Sequence, residues 1–243
     1  MNLRKAFASG VLAATLVVTA AGTAFAEDPS PTPEPTPTPA PTVVFPLKVG
    51  STGIAVQTLQ TRLTWLGYKL ADAETSTQTF DESTRHAVKL MQAKYYRVET
   101  GEVSDKFNAF IAKIAAPLHK LPKACRKGVV ICIDKKQKLL RWVKNGHVKI
   151  TTDARFGIPG ETTANGRHQI ERKEKHNVSE EYNTPMPFSM FFFGNQAIHF
   201  SYWFRRDGYY GGSHGCVNIR SWADMKWVYA HSPIGTRVFI YSS

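Results

Sequence analysis

Apolar side chains recur at helical spacing through residues 47–118. Val56, Leu59, Leu63 and Leu66 lie three or four positions apart, and Gly67 follows them as a helix stop signal. Two further sets show the same spacing: Ala87, Val88, Met91 and Tyr95 after Asp81, and Phe107, Phe110, Ile111 and Ile114 after Ser104. The pattern predicts a bundle of three short amphipathic helices.

From residue 119 onward the pattern becomes that of β-strands. Residues 129–133 are continuously apolar, 134–137 form a polar turn, and 139–143 predict the returning strand. Further strands are predicted at 148–152, 169–172, 189–193, 197–200 and 237–241, with one helix at 222–230. Residues 172–188 show no readable pattern. The chain is therefore predicted to be α+β, with the helical bundle followed by a mainly antiparallel β domain.

The first 26 residues have the three-part pattern of an export signal. Arg4 and Lys5 precede an apolar run over 6–21, and Ala24-Phe25-Ala26 has the small-x-small form of a cleavage site. The run is short for a membrane span, although an uncleaved anchor stays open as the alternative. We therefore expect a signal peptide at 1–26 and an exported protein with no transmembrane span after cleavage.

Residues 27–46 are dominated by proline and threonine. Proline stands at every second position from 29 to 41, which favours polyproline II and prevents a packed core. This composition predicts a disordered linker. It would serve either as a stalk for the folded part or as a plain N-terminal tail.

Charge is concentrated in the second half of the chain. The formal net charge is +12, and residues 119–243 carry twenty Lys and Arg against nine Asp and Glu. Such a surface favours an anionic partner, either a polymer or a membrane surface, although a charge that only aids solubility is the alternative. The sequence contains no nucleic-acid-binding motif, so we expect no nucleic-acid partner.

The three cysteines fall into two groups. Cys125 and Cys132 flank the start of a predicted strand, and whether they form a disulfide stays open. Cys216 lies in a glycine-rich turn beside His214, seventeen residues after His199. If the first two cysteines pair, Cys216 is the single thiol, which suits a nucleophile.

The stretch from Ser213 to Asn218 has the parts of a cysteine acyltransferase. We expect His199 to act as the base and to hold Cys216 as a thiolate. The amides of His214, Gly215 and Cys216 are candidates for binding an oxyanion, since Gly215 permits close backbone approach.

Five more side chains are candidates for substrate contact or for ordering the loop. Ser213 is expected to fix the turn, and Asn218 and Arg220 to order the loop or hold a substrate carboxylate. Tyr202 and Tyr210 belong to an aromatic segment between His199 and Cys216. That segment is either a mobile flap over the substrate or ordinary loop packing.

These motifs resemble those of a known family. Ile198-His199-Phe200 and the string Gly211 to Trp222 resemble the L,D-transpeptidase catalytic domain of the YkuD type. The stretch from Leu47 to Tyr68 resembles the peptidoglycan-binding type 1 domain. The resemblance assigns residues 47–118 to wall binding and 119–243 to catalysis, in a β-sandwich of mixed sheets. It implies a role in cell wall biogenesis and cell shape, in the cell wall or periplasm.

The resemblance also implies a reaction. Cys216 would attack the third residue, a diamino acid, of a tetrapeptide stem, release D-Ala and pass the acyl group to a second stem. No cofactor or metal is implied, the histidine base is oriented by a backbone carbonyl, and carbapenems acylate the family's cysteine. Anionic wall polymers are further candidate partners. Three alternatives stay open: an L,D-carboxypeptidase using the same thioester, a non-catalytic wall-binding protein, and a zinc site of His199, His214 and Cys216.

Overall fold

The computed structural model describes residues 43–243. The predicted signal peptide at 1–26 and most of the predicted linker at 27–46 lie outside the described residues. Residues 43–243 pack as one unit that contains a helical part and a sheet part. The domain boundaries proposed from the sequence stay predictions.

The helical part contains four helices rather than three. They are α1 Ile54–Trp65, α2 Asp72–Thr77, α3 Glu82–Lys94 and α4 Asp105–Ala115. The helices at α1, α3 and α4 correspond to the three predicted ones, and their apolar faces bury Leu59, Met91 and Ile111 completely. The sequence did not predict α2 because its six residues are polar or small and carry no apolar period.

The short helix α2 supports the start of α3. The carboxylate of Glu74 accepts hydrogen bonds from the backbone N–H groups of Ser83 at 2.7 Å and Thr84 at 2.9 Å. Asp81 caps the same end by accepting from the N–H of Glu82. Burial alone would raise the pKa of Glu74, but the hydrogen bonds from Thr84 and Ser83 outweigh it and lower that pKa.

The sheet part contains nine strands and two helices within the described residues. The strands are β1 Val129–Asp134, β2 Leu139–Lys144, β3 His147–Arg155, β4 Gly166–Gln169, β5 Arg172–Ser179, β6 Thr184–Phe193, β7 Gln196–Phe200, β8 Val217–Ile219 and β9 Arg237–Tyr241. The helices are α5 Tyr202–Asp207 and α6 Trp222–Ala230. Ser221 caps α6, because its hydroxyl accepts from the N–H of Asp224.

The strands form one sheet in the order β4-β9-β1-β2-β3-β8-β7-β6-β5. Two neighbouring pairs, β1 with β9 and β7 with β8, are parallel, and the others are antiparallel. The predicted sandwich of two sheets is not confirmed, because hydrogen bonds between β3 and β8 join both halves. The sheet curls instead, so that side chains from both halves and from α6 share one core, among them Ile133, Phe192, Ile198, Val228 and Ile240.

Three elements of the sheet part were not predicted, and the strand predicted at 169–172 spans the break between β4 and β5. Strand β5 is largely polar, and its residues are half-buried or exposed, so it has neither an apolar run nor a clear alternation. Strand β8 is only three residues long, and α5 is a six-residue helix in a glycine-flanked aromatic segment. Strand β8 and helix α5 have too few positions to establish a period.

Cys125 and Cys132 form a disulfide. It joins a short 3-10 turn at Lys123–Cys125 to strand β1. Cys216 is therefore the remaining thiol of the described residues.

Helix α3 packs against the sheet part through buried charges. Lys94, 2% exposed, lies 2.8 Å from the carboxylate of Asp153 on β3, which also pairs with Arg220. The side chain of Leu139 on β2 enters the helical core. None of the helices within 43–243 is long and apolar enough to cross a membrane.

Candidate active site

The strands β7 and β8 place their reactive side chains on one face. Because side chains alternate along a strand, Ile198 and Val217 point into the core, while His199, Cys216 and Asn218 point to the opposite face. His199 and Asn218 are direct partners in the parallel register. The alternation therefore brings an imidazole, a thiol and an amide together.

The sulfur of Cys216 lies against strand β7. The backbone N–H of Ala197 donates to Sγ at 3.4 Å, and Sγ contacts the carbonyl oxygen of Asn195 at 3.9 Å. His199 is the next residue of β7 on the same face after Ala197. Cys216, directly before β8, and His199 on β7 therefore lie on the same face of the sheet and line the same cavity.

His199 is oriented by the backbone. Its Nδ1 lies 2.8 Å from the carbonyl oxygen of Phe200, as predicted from the family resemblance. A carbonyl only accepts, so Nδ1 carries the hydrogen and Nε2 keeps a lone pair. The ring is 4% exposed, and burial lowers the pKa of His199 to about 4, although its contacts with Phe200 and Asn218 oppose the change. His199 is neutral near pH 7 and can accept a proton.

The thiol of Cys216 differs from the expected thiolate. Burial raises its pKa above the ordinary value, and the hydrogen bond from Ala197 offsets this only in part. With the pKa of His199 lowered as well, both changes favour a neutral pair.

The loop that carries Cys216 is fixed by Ser213. The Ser213 hydroxyl donates to the carbonyl oxygen of Cys216 at 2.6 Å. Its backbone N–H donates to Phe156 and its carbonyl accepts from Ile158, both at 2.9 Å. A side chain at Gly157 would collide with the carbonyl of Glu161, so glycine is needed for this close approach.

Gly215 and Gln196 shape the other side of the loop. Gly215 has φ +101°, a backbone conformation that is strained for any residue with a side chain. A Cβ there would also lie 2.6 Å from Nε2 of Gln196. Gln196 accepts from the N–H of Ala164 at 2.9 Å and donates to the carbonyl of Thr162 at 3.1 Å. It therefore ties the 162–164 segment to the Cys216 loop.

His214 is held between two side chains. Its Nδ1 contacts the carboxylate of Glu161, and its ring stacks on Tyr182 with centroids 3.9 Å apart and planes 7° apart. Tyr182 lies at the tip of the β5–β6 hairpin. The hairpin and the Cys216 loop are thus in direct contact.

These groups line a cavity of about 530 Å³. His199, Cys216 and Asn218 line it, together with the aromatic side chains of Tyr182 and Trp203. Its charged lining includes Arg155, Arg172, Glu174, Glu180 and Glu181. A buried base beside a thiol in a cavity of this size can carry out acyl transfer on an extended peptide.

Comparisons with known proteins agree with this chemistry. Residues 128–240 match the family model described as the L,D-transpeptidase catalytic domain, and residues 52–110 match that of a putative peptidoglycan binding domain. The chain carries an L,D-transpeptidase catalytic domain. A peptidoglycan-binding domain precedes it, and the enzyme cross-links or otherwise modifies peptidoglycan.

Solved structures of L,D-transpeptidases resemble this one. That from Xylanimonas cellulosilytica is 28% identical, with a TM-score of 0.51 over 83% of this chain and 100% of that chain. The one from Stackebrandtia nassauensis is 24% identical, with a TM-score of 0.54 over 82% of this chain and 98% of that chain, and shows the shared fold. No curated protein matches the chain in sequence.

The transpeptidase cavity brings together some of the predicted site residues but not all. His199, Ser213, His214, Cys216 and Asn218 line it, and Gly215 lies within the same loop. The three others lie away from its lining. Arg220 pairs with Asp153, Tyr202 packs on Phe200 and Trp222, and Tyr210 packs on Tyr96.

The sequence analysis missed four residues of the transpeptidase site: Arg155, Glu161, Tyr182 and Gln196. Arg155 is 6% exposed although it is charged, and its position before Phe156-Gly157 gave no motif. Glu161 and Tyr182 reach His214 from loops 53 and 32 residues away in sequence. Periodicity cannot reveal contacts of that range. The aromatic segment divides into two groups: Phe204 and Tyr209 are buried, whereas Tyr202, Trp203 and Tyr210 are exposed, and Trp203 lines the cavity.

The zinc alternative lacks a ligand set in the transpeptidase. Within the part of the chain that the structure describes, no three His, Cys, Asp or Glu side chains are grouped closely enough to hold a metal ion.

The family matches also bear on location. A domain that acts on the cell wall points to an extracellular or periplasmic location.

Proposed function

We propose that this exported transpeptidase joins the third-position diamino acids of two peptidoglycan stems through a thioester on Cys216. The observation that carries the proposal is that Cys216 and His199 line one cavity, where the ring of His199 is buried and its Nδ1 is directed at the carbonyl oxygen of Phe200. The substrate is a tetrapeptide stem that ends in D-Ala.

The first half of the reaction forms the thioester. Sγ of Cys216 attacks the carbonyl carbon of the third residue while Nε2 of His199 takes the thiol proton. The C–N bond to D-Ala then breaks, and His199 returns the proton to the departing amine. The energy of the cleaved amide is retained in the thioester, so no nucleotide is needed.

The second half transfers the acyl group. A side-chain amine of a second stem attacks the thioester, His199 takes its proton, and the thiol of Cys216 is restored. Water in place of the amine gives a trimmed stem, which is the carboxypeptidase outcome.

We place the tetrahedral oxyanion near the amides of His214, Gly215 and Cys216. The positive φ of Gly215 and the bond from Ser213 to the Cys216 carbonyl support this, because they fix the turn before any substrate binds. His214 and Asn218 are proposed to contact the substrate. Carbapenems are expected to acylate Cys216, and the basic catalytic domain is proposed to favour anionic wall polymers.

The test is intact-protein mass spectrometry with a synthetic tetrapeptide stem. We expect the wild-type protein to gain the mass of the tripeptide acyl group that remains after D-Ala has left. Cys216→Ala should gain no mass. With an acceptor amine present, the adduct should disappear and a cross-linked product should form. A folded wild-type protein that gains no mass, or one that is acylated at another residue, would overturn the proposal.

A further inference from the structure

One face of the sheet carries a row of polar side chains across three strands. Arg155 on β3 is the register partner of Asn218 on β8, and Asn218 is that of His199 on β7. Neighbouring strands lie about 4.8 Å apart, so the backbones at Arg155 and His199 are roughly 10 Å apart along this row. Ala154 points into the core, and Arg155 lines the cavity on the opposite face.

Arg155 is held firmly at this position. Its Nη1 donates to the carbonyl oxygens of Gly208 at 3.0 Å and Tyr210 at 2.6 Å. Its guanidinium also lies over the ring of Phe204, 5.1 Å from the centroid. A guanidinium fixed in this way loses little further freedom when a ligand binds it.

The cation of Arg155 has no carboxylate in direct contact, and Asp207, which pairs with Arg206, acts on it only from a longer distance. Arg155 forms no ion pair with any residue of 43–243, and its buried Nε has no hydrogen-bond partner there either. The other arginine of the cavity lining, Arg172, pairs with Glu174. A buried guanidinium without a contacting carboxylate is costly, so an anionic ligand that contacts Arg155 would be favoured.

We propose that Arg155 binds a carboxylate of the donor stem, namely the C-terminal carboxylate of the departing D-Ala. The assignment rests on the proposed function and names a subsite of that reaction. His199 must reach the departing amine to return a proton, so D-Ala lies over His199. Its carboxylate then follows the row past Asn218 towards Arg155.

The test compares donors that differ only in one carboxylate. The first donor has a free D-Ala carboxylate, and the second has a carboxamide in its place. The third donor keeps the free D-Ala carboxylate, but any side-chain carboxylate of its third residue is amidated. We expect wild type to prefer the first over the second by about 10- to 100-fold in kcat/KM, as for a charge-assisted hydrogen bond. In Arg155→Met that ratio should fall to near one, with Arg155→Lys intermediate.

Arg172→Met is the matched control, and it should keep the wild-type ratio. Because Arg155→Met loses two loop contacts, its fold is checked by circular dichroism. If it does not fold, Arg155→Lys decides. An unchanged ratio in a folded variant overturns the carboxylate site. If Arg155→Met instead removes a preference of wild type for the first donor over the third, and leaves the preference over the second unchanged, Arg155 binds the side-chain carboxylate. That result overturns the D-Ala assignment.

Binding separates this proposal from the proposed reaction. Calorimetric titration of the first two donors into Cys216→Ala needs no turnover. Tighter binding of the carboxylate donor, lost in Cys216→Ala/Arg155→Met, supports the site even if thioester formation fails. Equal binding of both donors by Cys216→Ala, with turnover of both by wild type, overturns the site and leaves the reaction standing.

Discussion

His199 and Cys216 share an environment that keeps both uncharged at neutral pH. Burial lowers the pKa of the imidazole to about 4 and raises that of the thiol. An ion pair of thiolate and imidazolium would need the opposite changes. At the scale of single residues, these two shifts favour the proposed general-base catalysis, in which attack and proton transfer occur together.

The pH dependence of kcat/KM tests this directly. A base must be unprotonated, so activity should fall only as pH drops towards 4, rather than near the ordinary value of 6.5. Rates of D-Ala release measured from pH 3.5 to 8 would show the acid limb. Because the Asn218 contact raises the pKa of His199, Asn218→Ala should move the limb to lower pH. A wild-type limb near 6.5 would contradict the burial argument.

At the scale of elements, the β5–β6 hairpin is part of the active site. Its tip residue Tyr182 stacks on His214, which the carboxylate of Glu161 contacts from another loop. The hairpin also supplies Arg172 and Glu174 to the cavity. The stack therefore links the wall of the cavity to the loop of Cys216.

Removing the ring of Tyr182 should weaken that link. A stacked aromatic pair contributes about 0.5–1.5 kcal/mol beyond burial, so we expect Tyr182→Ala to lower kcat/KM by up to about tenfold. Tyr182→Phe keeps the ring and should retain nearly the wild-type value. Steady-state kinetics with a tetrapeptide donor gives both numbers. Equal losses in the two variants would assign the effect to the hydroxyl instead of the stack.

The same hairpin marks the limit of prediction from sequence. The long helices and strands such as α3 and β1 follow from repeated apolar positions, and the string around Cys216 identifies the nucleophile because its chemistry is local in sequence. Strand β5 is polar, and Tyr182 and Arg155 act through contacts with residues far along the chain. Such contacts depend on strand order, which no local pattern encodes.

At the scale of the whole molecule, the helical part touches the catalytic face of the sheet. Asp153 and Arg220 lie on the same face as His199, beyond Asn218, and Lys94 of α3 covers that end. The hydroxyl of Tyr96, just past α3, donates to the carbonyl of Tyr209. The peptidoglycan-binding part therefore contacts the segment whose carbonyls hold Arg155.

Asp153 is the centre of this contact. Burial alone would raise the pKa of Asp153, but Lys94 and Arg220 outweigh it and hold that pKa below its ordinary value. Burial lowers the pKa of Lys94, and the nearby Asp153 raises that pKa only in part. Asp153 contacts two cations, so it is the group that keeps the cluster ionised. A carboxyl with a lowered pKa stabilises the fold above pH 3.8 and loses that effect as pH falls through its folded pKa.

Asp153→Asn should therefore destabilise the protein strongly at pH 7. It leaves the buried Lys94 and the half-buried Arg220 without an anion, and breaking a buried pair in this way costs about 3–5 kcal/mol. Lys94→Met should cost less, because Arg220 still neutralises Asp153 and the methionine fills similar space. Urea unfolding monitored by tryptophan fluorescence gives the free energies. Arg206→Gln, from an exposed pair with Asp207, is the control and should leave the midpoint nearly unchanged. If Lys94→Met proved as costly as Asp153→Asn, packing of the lysine stem rather than charge would join the two parts.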